Sequence, residues 1–62
     1  MKMNKGFYYI VVTLGTERYF VNKDMDYTDS FDDVMRFDTA EQAQEHIEKH
    51  LSGKNAKTIP YL

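Results

Sequence analysis

The chain predicts an α+β fold: a small antiparallel sheet of three or four strands with one helix packed on one face. Two observations carry this. Phe7 to Thr13 is an unbroken run of aromatic and β-branched residues, the composition that suits a pleated, half-buried surface. Thr39 to Leu51 repeats apolar residues at spacings of three and four behind a helix-start signal. The 62 residues, 1–62, make one domain.

Each element follows in order. Phe7 to Thr13 is the first strand, and alternation sets Phe7, Tyr9, Val11 and Thr13 on one face and Tyr8, Ile10, Val12 and Leu14 on the other. Both faces are apolar enough to be buried. A single helix covers only one of them, so the other is left as a contact surface. Leu14-Gly15-Thr16 is a turn, with Gly15 supplying a positive φ. Glu17 to Asn22 is the return strand of a hairpin. Lys23 to Asp33 is an acidic loop with Tyr27 and Phe31 embedded in it. Val34 to Phe37 is predicted as a short third strand. Thr39 is the N-cap of the helix, and Gln42 completes a capping box. Ala40, Ala43, Ile47 and Leu51 form the buried stripe, with Glu41, Glu45 and Glu48 on a separate stripe. Gly53 ends the helix as its C′ residue. The tail around Pro60 admits a fourth strand, placed at a sheet edge because proline cannot donate to a ladder.

Composition bounds the function. A chain of this length buries only about 60% of the surface its unfolded form exposes, so nine aromatic residues are a major resource for its core. There is no cysteine, which removes disulfides and thiolate metal sites and fits a reducing compartment. Met1 to Gly6 has no signal-type apolar run after it. The longest apolar run, Phe7 to Val12, spans six residues, against roughly 20 for a bilayer. The expectation is a cytoplasmic protein with no membrane contact.

Charge is segregated along the chain. Residues 24–48 hold nine carboxylates against one cation, Arg36, for a net −8, while the segments before and after are each net +3. Such a surface attracts cationic partners and repels polyanions. The expected function is non-enzymatic binding of a protein with a basic surface. The expected partner-binding residues are Asp24, Asp26, Tyr27, Asp29, Phe31, Asp32, Asp33, Glu41, Glu45 and Glu48. The acids steer; Tyr27 and Phe31 anchor. A narrower alternative is mimicry of a nucleic-acid backbone, which carries one charge per roughly 1.7 Å of duplex axis. The target would then be a DNA- or RNA-binding enzyme. A second alternative is direct nucleic-acid binding, with Tyr8, Tyr9, Tyr19 and Phe20 stacking bases and Lys2, Lys5, Arg18 and Lys23 on phosphates. The acidic balance weighs against it. An exposed sheet edge also admits a homodimer.

Other chemistries fail on their motifs. Asp24, Asp26 and Thr28 match the first, third and fifth places of a calcium loop, but Asp29 stands where Gly is needed and Met35 where Glu is needed. His46 and His50 share a helical face, but Ile47 follows the first and no third ligand completes a zinc site. Leu14-Gly15-Thr16 lacks the second glycine and the following helix of a phosphate loop. Ser30 and Ser52 have no base and orienting acid around them. No catalytic residue, metal or cofactor is expected.

One likeness is carried by Tyr8-Tyr9-Ile10, by Tyr19-Phe20-Val21, and by Val34-Met35-Arg36-Phe37-Asp38-Thr39-Ala40-Glu41-Gln42-Ala43 leading into the helix. This arrangement resembles small α+β proteins encoded by bacteriophages and prophages, over about half the chain. The resemblance implies a compact cytosolic protein, made during infection, that binds and redirects a host enzyme. It assigns no functional residue.

Overall fold

The computed structural model describes residues 6–61; Met1 to Lys5, which include Lys2 and Lys5, and Leu62 lie outside the described residues. The expected α+β fold is present, with one helix on a four-stranded antiparallel sheet. Strand β1, Phe7–Leu14, buries Ile10 and Val12 completely on its inner side. Gly15 and Thr16 reverse the chain, and Leu14 pairs with Glu17 across the turn. Among the described residues Gly15 has φ +65° and Thr16 is not among the positive-φ positions. That is the type II′ geometry, whose backbone twist matches that of the flanking strands. Strand β2, Glu17–Val21, returns beside β1.

The next elements depart from expectation. The third strand, β3, is the two-residue Tyr27–Thr28, paired with Phe20 and Val21 of β2. Phe31–Asp33 then forms one turn of 3₁₀ helix. Val34 to Phe37 is not a continuous strand but makes two isolated bridges, Asn22 with Val34 and Tyr8 with Phe37. The reason lies in its hydrogen bonds. The Met35 N–H donates to the Val21 carbonyl at 2.9 Å, whereas Phe37 exchanges bonds of 2.9 and 2.8 Å with Tyr8. The segment divides its backbone groups between β2 and β1, so no single ladder forms. Its side chains still count: Val34 and Phe37 are both buried.

Helix α1, Ala40–His50, starts as the sequence predicts. The Thr39 hydroxyl accepts from the Gln42 N–H at 3.1 Å, and the Gln42 side-chain oxygen accepts from the Asp38 N–H at 3.1 Å. The reciprocal bond reaches one residue beyond the cap, so the capping box is stretched. Ala43, Ile47 and Leu51 are buried against Ile10, Val12, Val21 and Phe37. Ala40 is exposed, because the first turn has not yet reached the sheet. Leu51 caps the helix, and Gly53, with φ +85°, comes two residues later rather than one. Gly53 gives the turn its left-handed step into the last strand.

Strand β4, Asn55–Tyr61, pairs with β1 over seven residues, and the sheet order is β3-β2-β1-β4. Pro60 therefore lies on an edge strand, as expected. Tyr8 stands opposite Pro60 but spends its backbone N–H and carbonyl on Phe37. Those groups point away from β4, so by alternation Pro60, Thr58 and Ala56 turn their own backbone groups to the outer rim. Pro60 has no N–H to offer there. The Ala56 N–H is folded back onto the Lys54 carbonyl at 3.0 Å. Thr58 is left as the single outward backbone donor of β4.

Candidate interaction surfaces

The acidic loop is built on Asn22. Its side-chain oxygen accepts from the N–H groups of Asp24 and Asp26, both at 2.9 Å. Its own N–H donates to the Asp26 carbonyl, and its carbonyl accepts from Met25. This tight wrap holds Met25 at φ +65°, a left-handed conformation that costs an L-residue roughly 1–2 kcal/mol. Met25 is 44% exposed and packs little. Met25→Gly is therefore expected to raise stability by about 0.5 kcal/mol, the relief of strain exceeding the added flexibility of glycine in the unfolded chain. Thermal unfolding checks this as a rise of about 2–4 °C.

Within the loop, Asp24, Asp32 and Asp33 gather with Asn22 and Lys23 around one shallow concavity of about 300 Å³. Asp26 and Asp29 are also exposed. Asp29 acts at a distance on Tyr19, whose hydroxyl donates to the Glu17 carboxylate. That bond, and then the Glu17 charge, raise the Tyr19 pKa, with burial and Asp29 adding smaller increments. Among the described residues the only ion pair is Glu45 with Lys49, at 3.5 Å on the helix. The loop carboxylates are thus not paired with any described cation.

The two expected anchors separate. Tyr27 stacks on Tyr19 with ring centroids 6.3 Å apart and stays 38% exposed. Phe31 instead sits on the sheet face opposite the helix. Its ring centroid lies 5.0 Å from that of Tyr9, 5.3 Å from Tyr61, 5.4 Å from Phe20 and 6.3 Å from Phe7. It is the hub of a second apolar cluster, held there by the 3₁₀ turn behind it.

The helix acids form a different group. Glu41, Glu45 and Glu48 are exposed. Their helix packs on β1 and β4, while the acidic loop extends from β2 and β3 at the far edge of the sheet. The ten expected partner-binding residues thus fall into a loop set, a helix set and one packed aromatic.

His46 occupies the boundary of the main core. Its ring lies 5.4 Å from Phe37 and 4.7 Å from His50, and its Nε2 is buried without a hydrogen-bond partner. Burial lowers its pKa, and the neighbouring His50 lowers it further. The unfolded chain binds a proton there more readily than the folded one, so acid favours unfolding. Stability from this site is complete above about pH 6.5, the ordinary histidine value, and declines as the pH falls below it. Replacing His46 by leucine is expected to flatten the loss of stability between about pH 7 and pH 5 in urea titrations. Among the described residues no three His, Asp or Glu side chains converge as metal ligands.

The sheet face away from the helix also carries a groove. Its floor is Val11 and Thr13 of β1, and Tyr9, Phe20 and Ile59 form its walls. Its volume is about 450 Å³. Arg18 and Lys57 line it from the two neighbouring strands. The alternating pattern of β1 indicated that this face would be left uncovered. The two cations come from separate strands and meet only through the register, which no local pattern of residues reveals.

No helix among the described residues is long and apolar enough to cross a membrane. Comparison of the chain with protein-family models, with curated proteins and with solved structures finds no match.

Proposed function

We propose that this protein is a non-enzymatic binding module of the cytoplasm whose acidic loop docks on a basic surface of another protein. The supporting observation is the gathering of Asp24, Asp32 and Asp33 around one concavity, with no described cation bonded to them. Carboxylates held in this way act twice. They raise the rate of encounter with a cationic patch, and once in contact they accept charge-assisted hydrogen bonds from arginine. Tyr27, exposed beside the loop, supplies an amphipathic ring at the rim. The likeness to phage-encoded proteins favours a host protein as the target.

Mimicry of a nucleic-acid backbone needs an unbroken track of charge. The separation of the loop acids from Glu41, Glu45 and Glu48 favours the more general binding role.

The test compares the wild-type chain with the triple variant D24N/D32N/D33N as bait in a lysate of the native host, at low and moderate salt. A basic protein retained by the wild type and released by the variant supports the proposal. Capture of the same proteins by both, with the same salt dependence, overturns it. All three side chains are exposed, so the variant keeps its fold.

A further inference from the structure

The groove on the open sheet face has a chemistry opposite to that of the loop. We propose that it binds a short extended peptide with the pattern acid-x-apolar-x-acid, the central side chain entering the groove and the flanking carboxylates meeting Arg18 and Lys57.

The register fixes the geometry. Lys57 stands directly across from Val11, and Arg18 directly across from Thr13 on the other side of β1. With strands about 4.8 Å apart and residues about 3.3 Å apart along a strand, the two Cα atoms lie roughly 12 Å from each other. In an extended peptide, residues i and i+4 are about 13 Å apart and face the same way as i+2. Two acids at i and i+4 therefore reach both cations while i+2 points at the floor between them.

The face itself indicates what it accepts. Phe31 already covers its other half, lying against Phe7, Tyr9, Phe20 and Tyr61. That ring comes from Asp29-Ser30-Phe31-Asp32-Asp33, an aromatic with a carboxylate two places to either side. This surface thus already accepts one aromatic side chain, delivered by a 3₁₀ turn, and the neighbouring groove remains open to another.

Two other occupants fit less well. In a groove-to-groove dimer, every charged lining group is a cation meeting a cation. At the β4 edge, Thr58 alone offers an outward N–H to a pairing strand. A single-stranded nucleic acid would extend beyond Arg18 and Lys57, the two charged groups that line the groove. A short peptide carries its charge only where Arg18 and Lys57 are.

The experiment is an NMR titration of the full chain with the capped pentapeptide Glu-Ser-Phe-Ser-Glu, its diamide counterpart Gln-Ser-Phe-Ser-Gln, and a five-nucleotide oligothymidylate. The expected result is saturable shifts at Val11, Thr13 and Ile59 with the acidic peptide. Affinity should be about tenfold weaker for the diamide, and also for the acidic peptide on R18Q/K57Q. Both variant positions are exposed, and backbone spectra report whether the fold is kept. The proposal is overturned if those residues do not move. It is equally overturned if the diamide or the variant binds as well, or if the oligonucleotide binds more tightly. A dimer in sedimentation that R18Q/K57Q strengthens would assign the face to a second copy and overturn it as well.

Discussion

Ile10→Ala leaves the protein largely unfolded at 37 °C. Ile10 is completely buried at the centre of β1, between Thr58 on β4 and the helix residues above it. Removing three carbons from such a site costs about 3–4 kcal/mol, because the lost transfer energy is joined by the cavity left behind. A single-core domain of this size has roughly 3–5 kcal/mol in total. The surroundings have little capacity to collapse into the gap. Val12 and Ala43 are themselves fully buried, and each is fixed in a regular element. Ile10→Val removes one methyl group and should cost only about 1 kcal/mol. Urea unfolding followed by circular dichroism measures both. Near-native stability for the alanine variant would mean that the core does not centre on this residue.

Phe31→Ala costs the fold far more than Tyr27→Ala. Phe31 is half-buried among four other rings, two of them edge-on and within 5.4 Å. Its loss removes apolar burial as well as aromatic contacts worth about 0.5–1.5 kcal/mol each. An overall cost of about 2–3 kcal/mol follows, somewhat below that for a fully buried phenylalanine. Arg36 lies 4.8 Å above the Phe7 ring at the margin of the same cluster and would lose part of its support. Tyr27 stacks on one ring at 6.3 Å and keeps 38% of its surface in water. Its truncation should cost less than about 1 kcal/mol. If the two variants unfold at the same denaturant concentration, Phe31 is not the hub described above.

The contrast between these two aromatics shows where sequence patterns lose their grip. Both sit among aspartates, and both look like exposed anchors in a polar loop. Only the 3₁₀ turn, closed by the Ser30 and Phe31 carbonyls, rotates Phe31 back over the sheet. Local signals were far more reliable. The hairpin was visible because Gly15 and the strand residues around it act within a few positions of one another. The helix start was visible because Thr39 and Gln42 bond each other. Val34 to Phe37 has strand composition, but its partners are Val21 and Tyr8, brought in from two different places. The true third strand was hidden because Tyr27 and Thr28 are only two residues, flanked by types that disfavour strands. Of the expected site, Asp24, Asp32 and Asp33 do converge. The helix glutamates do not join them, because chain order carries no information about which half of the sheet a helix covers.

The rim of β4 has a consequence for the protein in concentrated solution. Open strand edges are where chains recruit one another into cross-β filaments, each new strand needing a regular series of donors and acceptors. Here the series is broken at both ends, by the imino ring of Pro60 and by the inward-turned amide of Ala56, so an incoming strand finds one amide instead of a row. The far edge, at Tyr27 and Thr28, is too short to template anything. A small, aromatic-rich sheet with such borders offers little to edge-to-edge filament growth, although its sequence holds no cysteine for a disulfide.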